Sequence, residues 1–155
     1  MSEPLAEAFG APPLIRDLHL SPDGTKILFL QARPEGGELV RIFDTRSQTT
    51  TTPMASGGRD GDDVRWCRWK NDTRLICGLL GREKLDWRRV EWHGLVSLDV
   101  DGTKPLLLGR RSGALAKLQF DDRVIDWLPD DPEHVLLGVS IGPPGILDSR
   151  EILKG

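Results

Sequence analysis

From Ile15 onward, short apolar runs alternate with clusters of Gly, Pro, Asp and Asn, and this is the pattern of many short strands rather than of helices. The runs predict strands near Ile15–Leu20, Lys26–Gln31, Leu39–Asp44, Val64–Lys70, Arg74–Leu80, Trp92–Val100, Leu106–Leu108, Val124–Leu128 and His134–Val139. Only Pro4–Phe9 has a helix start, with Ser2 or Glu3 ahead of a proline suited to the first turn, and Gly10 ends it. The predicted fold class is therefore all-β with one short N-terminal helix.

A unit recurs along these strands. In Leu18-His19-Leu20-Ser21-Pro22-Asp23-Gly24-Thr25-Lys26-Ile27-Leu28-Phe29, two apolar runs flank a tight turn. Pro22 presets φ, Asp23 can bond its own backbone and Gly24 accepts positive φ. The same grammar returns at Trp69-Lys70-Asn71-Asp72-Thr73-Arg74-Leu75-Ile76 and at Trp127-Leu128-Pro129-Asp130-Asp131-Pro132-Glu133-His134-Val135-Leu136. With Asp23, Asp72 and Asp131 taken as equivalent, the period is about 50 to 60 residues, near that of a four-stranded propeller blade plus a loop. Leu39–Asp44 and Gly94–Asp99 both alternate and end in Asp, as third strands would, and the turns after them lead into short fourth strands near Pro53 and Pro105. Between units lie the polar stretches Thr49–Asp63 and Gly81–Arg89, of which Ser56–Asp63 is the most linker-like. The expected organisation is an incomplete β-propeller over residues 1–155, with blades at 13–55 and 62–110 and the start of a third at 113–155. Leu20, Ile27, Phe29, Ile42, Trp69, Leu75, Val96, Leu98, Leu128, Val135 and Leu137 are expected to be buried between blade layers.

Composition narrows the classes. A chain of 155 residues suits one domain or a piece of a larger one, and 38% apolar residues with 17 Gly are enough for a core. No apolar run is long enough for a membrane helix. A net charge of −3 gives no footprint for a phosphate backbone, so neither nucleic acid nor membrane is an expected partner. The acidic N-terminus lacks the basic start and apolar core of a secretory signal, so the chain as written is expected in the cytoplasm, or in the periplasm or outside the cell if a signal has been removed. Cys67 and Cys77 have no zinc-ligand spacing. They are expected as two reduced, half-buried thiols, with a disulfide open to them if they face each other across a hairpin.

Few residues carry recognisable chemistry. Gly138-Val139-Ser140-Ile141-Gly142 has the letters of a nucleophile elbow, but Pro143-Pro144-Gly145 cannot form the helix an elbow needs, and no histidine follows. His19, His93 and His134 stand far apart, each at or near a strand, with no partner at metal spacing. Arg65-Trp66-Cys67-Arg68-Trp69-Lys70 and Trp87-Arg88-Arg89 interleave basic and aromatic residues as single-strand binders do. On a strand, however, Trp66 and Trp69 point to opposite faces, and Arg65 and Arg68 can lie over rings or meet acids. Asp99-x-Asp101-Gly102 holds half of a calcium loop and Asp60–Asp63 clusters acids, yet both are better read as turns, as is the formal glycosylation site at Asn71. No residue is nominated as catalytic, cofactor-binding or metal-ligating.

The residues resemble the N-terminal β-propeller of prolyl oligopeptidase-like serine peptidases, close to the dipeptidyl and acylaminoacyl peptidases. The resemblance rests on Leu5-Ala6-Glu7-Ala8-Phe9 with Pro12-Pro13, on Leu18-x-Leu20-Ser21-Pro22-Asp23-Gly24, on Trp69-x-Asn71-Asp72-x-Arg74-Leu75, and on Ile125-x-x-Leu128-Pro129-Asp130-Asp131-Pro132-Glu133-His134-Val135-Leu136. It implies a propeller that precedes an α/β-hydrolase domain on the same polypeptide and screens peptide substrates by size, with no catalytic residue or cofactor of its own. Ser-Pro-Asp-Gly also marks TolB-like propellers, which implies the alternative of a stand-alone module for protein–protein interaction. Three blades cannot close a ring of four to eight, so either role calls for further blades or for oligomerisation.

Overall fold

The computed structural model describes residues 13–57, 62–85, 88–109 and 123–138. These form ten strands and no helix: β1 (Ile15–Leu20), β2 (Lys26–Ala32), β3 (Glu38–Asp44), β4 (Thr49–Ala55), β5 (Asp63–Trp69), β6 (Arg74–Leu85), β7 (Arg88–Asp99), β8 (Leu106–Leu108), β9 (Arg123–Asp126) and β10 (Leu136–Gly138). All pairing is antiparallel. The strands make two four-stranded meanders, β1-β2-β3-β4 and β5-β6-β7-β8, and a β9–β10 pair. The helix expected at Pro4–Phe9 lies outside the described residues.

The turns repeat because their side chains do. Asp23 Oδ1 accepts hydrogen bonds from the Thr25 N–H and hydroxyl, while Ser21 Oγ donates to Asp23 and accepts from the Lys26 N–H. Gly24 takes the positive φ of 71° that the bend requires. In the second meander the side chain in this role is Asn71, whose Oδ1 accepts from the N–H and hydroxyl of Thr73. In the third hairpin it is Asp131, which accepts from the N–H groups of Glu133 and His134. The second repeat is thus anchored one residue before Asp72, the position its acidic side chain suggested. A carboxylate or amide oxygen matches this bend because it replaces the backbone acceptor that the turn leaves missing.

The structure corrects the expected polar stretches. The fourth strand expected near Pro53 is present but longer, Thr49–Ala55 paired with β3, because its run of β-branched threonines fits an edge whose outer face meets water. Within the stretch expected to be polar, Gly81–Leu85 and Arg88–Arg89 extend the β6–β7 ladder out to Leu85↔Arg88.

The expected core is corrected in phase. Leu28, Leu30, Val40 and Ile42 of the first sheet pack with Val64, Cys67, Leu75, Cys77 and Leu98 of the second. Ile27 and Phe29, on the opposite face of β2, are only half-buried, and Leu20 is 61% exposed. Ile42, Leu75, Leu98 and Leu137 are buried as expected, whereas Trp69, Val96, Leu128 and Val135 are half-buried. The other face of the second sheet carries Ile76 and Leu95, which meet Leu137 of β10 with Trp66, Leu108 and Trp127 around them. The second sheet is therefore apolar on both faces. That explains the unbroken Leu75-Ile76-Cys77 run, each member of which removes a side chain from water at a gain of about 1.5–3 kcal/mol for one of leucine size.

Cys67 and Cys77 are directly opposed in the β5–β6 ladder, Cα atoms 4.1 Å apart, and they form a disulfide. The expectation of two reduced, half-buried thiols is corrected: both sulfurs are cross-linked within the sheet-to-sheet core, and both residues are fully buried. The cause is register, since the hairpin turn brings two positions ten residues apart into direct opposition.

Candidate functional site at the ends of the leading strands

Besides the packed faces, polar contacts join the units at or near their leading strands, β1, β5 and β9. The β1–β2 register shifts between Arg16 and His19, and Asp17 adopts a positive φ of 58° in that bulge. The bulge turns the Asp17 side chain out of the first sheet and onto β5. There one carboxylate oxygen accepts the Cys67 N–H at 3.0 Å, and Arg68 Nη1 donates to both oxygens at 2.6 and 2.8 Å. His19 Nε2 lies 2.9 Å from the same carboxylate. Burial pushes the Asp17 carboxyl up, but His19, the Cys67 N–H and Arg68 together outweigh it and hold the group below the usual carboxylate range. Arg16 meanwhile binds Glu38 and the carbonyls of Val64 and Arg65, and Trp69 Nε1 donates to the His19 carbonyl.

The same kind of joint links the second sheet to the third hairpin. Lys70 Nζ donates to the carbonyls of Trp127, Leu128 and Asp131, at 2.5, 3.0 and 2.6 Å, and Asn71 Nδ2 donates to the Pro132 carbonyl. Between the first two turns, the Asp23 N–H donates to Asp72 Oδ1 at 2.8 Å. Each turn therefore hands a polar contact to the next.

Where these strands end, aromatic and charged groups converge. The Arg68 guanidinium carbon sits 5.8 Å from the centroid of the Trp66 ring, and Trp66 meets Trp127 edge-to-face with centroids 6.4 Å apart. Beside them is an open cavity of about 320 Å³ lined by His19, Leu20, Pro22, Arg68, Trp69 and Trp127. A larger cleft, about 580 Å³, lies between the second sheet and the β9–β10 hairpin, with Ile76, Leu106, Leu108, Val135 and Leu137 among its apolar walls. Its cations are already occupied: Lys70 by three carbonyls, and Arg74 by Ser97, Asp99 and the Lys104 carbonyl.

Residues singled out by the sequence are mostly accounted for by structure. Ser140 lies outside the described residues, as does Asp60. His19 pairs with Asp17, His93 with Arg65 and His134 with Asp131, and no group of three potential metal ligands occurs among the described residues. Trp66 and Trp69 do face opposite ways, one toward β9–β10 and the other toward the first sheet. Asp101 caps a turn through Thr103, Asp99 is bound by Arg74 and Lys104, and Asp63 pairs with Arg82.

The Asp17–His19–Arg68 cluster was not anticipated. Its signal lay in the interrupted alternation of Ile15-Arg16-Asp17-Leu18, which marks a bulge, while the pairing of Asp17 with Arg68 spans 51 residues. No family model, curated protein or solved structure matches the chain. Among the described residues no helix is long and apolar enough to cross a membrane.

Proposed function

We propose that the chain is the incomplete β-propeller of a prolyl oligopeptidase-like serine peptidase, non-catalytic in itself, with blades over 13–55, 62–110 and from 113 onward. Its role is to gate the access of peptides to an α/β-hydrolase domain on the same polypeptide. The observation that carries this reading is the recurrence of one unit and one joint. A four-stranded meander occurs twice, a third hairpin with the same side-chain-capped turn follows, and each packs face to face on the next, with polar contacts at the leading strands. Repeating that stacking operation arranges β1, β5 and β9 side by side around an axis, so their ends line the mouth of a channel. A channel bounded by stacked sheets excludes folded proteins and passes short extended chains.

The exposed apolar side chains of Leu14, Leu18, Leu20 and Ile125 favour a second reading, a TolB-like module that binds another protein. Sequencing the source gene through and past the codon for Gly155 separates the two. The peptidase reading expects an open frame with more blades and then a strand–Gly-x-Ser-x-Gly–helix segment. A stop, or further blades without a hydrolase, sinks it in favour of the interaction module.

A further inference from the structure

Arg68 is the one described cation at the ends of the leading strands that is both anchored and only partly used. Its Nη1 is engaged by the two Asp17 oxygens and by the Cys67 carbonyl at 2.7 Å. Its Nε–H and Nη2 donors have no protein acceptor among the described residues, and the side chain is 37% exposed. A guanidinium gripped along one side presents the other as a fixed fork, the geometry that receives a carboxylate through two parallel hydrogen bonds. The Trp66 ring lies within cation–π reach of the guanidinium, 5.8 Å from its carbon. Directly beside it lies the 320 Å³ cavity, whose other walls are Leu20, Pro22, Trp69, Trp127 and His19. That volume is at the small end for ligand sites and accommodates one residue-sized group.

We propose that Arg68 and this cavity form a binding site for a carboxylate carried on a single apolar or aromatic body, as at the C-terminal residue of a short peptide. The carboxylate takes the Nε/Nη2 fork, replacing water there, and the apolar body covers Leu20, Pro22 and the Trp127 ring. Asp17 is a positioning residue: it aims the guanidinium and neutralises part of its charge, so the site selects shape and apolar body as well as charge. The proposal does not depend on closure of a propeller ring.

The test is calorimetric titration of the full chain with N-acetyl-L-phenylalanine and, separately, with its uncharged amide. The acid is expected to bind saturably at millimolar or lower concentration, at least about tenfold more tightly than the amide, a difference of about 1.4 kcal/mol. Because Arg68 also holds Asp17 in place, the informative variant is Leu20→Glu. That change falls at an exposed position, leaves the Arg68 bonds intact and sets a like charge beside the incoming carboxylate; it should cost the acid about tenfold or more while leaving the unfolding curve unchanged. Equal affinity for acid and amide, no saturable binding of the acid, or undiminished binding by a folded Leu20→Glu chain would overturn the proposal.

Discussion

Ile27 and Leu75 occupy the same place in their sheets, each directly opposite the last residue of the leading strand, yet Leu75 is fully buried and Ile27 is half-exposed. The two meanders share strand order, direction and turn chemistry. What differs is the company each face keeps. The second sheet lies between the first sheet and the β9–β10 hairpin, whereas among the described residues the first sheet is covered on the Leu28/Leu30 face alone. Burial here is therefore a property of the stack and not of the strand, and the strength of a position follows from its place in the series.

Four measurements would break or sharpen that comparison. The largest effect is expected for Leu75→Ala, which should cost about 3–4 kcal/mol in urea unfolding, against about 1 kcal/mol for Ile27→Ala. Equal losses at the two sites would mean that the faces are not distinguished by stacking. Next, removing the disulfide with paired Cys67→Ala and Cys77→Ala changes should cost about 2–3 kcal/mol, and hydrogen exchange should then quicken first in β5 and β6. Uniform quickening across both sheets would deny the second sheet its separate margin.

A smaller effect is expected at the outer joint of the two sheets. Gly102 has φ 85°, and a Cβ placed there would meet the Pro53 carbonyl oxygen of β4 at 2.6 Å. Gly102→Ala should cost about 1–2 kcal/mol through strain and lost fit. No loss would mean that β4 and the β7–β8 turn do not bear on each other in solution.

The smallest effect is electrostatic. Because the Asp17 carboxyl is lowered in the folded chain, its contribution is present above the ordinary aspartate range and fades as pH falls below about 4. Asp17→Asn should cost about 1 kcal/mol at neutral pH, a modest figure because the group is partly solvated, and the gap to the parent chain should narrow in acid. A gap that stays constant from neutral pH into acid would show that the charge on Asp17 does not hold β1 to β5.

Much of the fold was legible in the sequence for a local reason. Strands bounded by Ser21–Thr25 or Asn71–Thr73 are set by short-range turn chemistry, and β1 and β8 fall where the apolar runs place them. The misreadings have a non-local cause. Polarity hid the length of β4, expected only as a short strand near Pro53, because an edge strand can carry threonines on a face that meets water. In Ile27-Leu28-Phe29-Leu30 both phases of the alternation are apolar, so pattern alone could not say that Leu28 and Leu30 face the neighbouring sheet. The disulfide needed the hairpin register, and the site around Arg68 needed the bulge at Asp17 to bring two distant segments together.

The Cys67–Cys77 bond has a mechanical consequence. It closes a loop within one hairpin, while among the described residues side chains join sheet to sheet by packing and by contacts such as Asp17 to Arg68 and Lys70 to Trp127. A pulling force applied at the two ends of the chain therefore meets no disulfide cross-link between units. The molecule should lengthen in steps, one sheet peeling from its neighbour at a time, with the β5–β6 hairpin as the one segment that stays short.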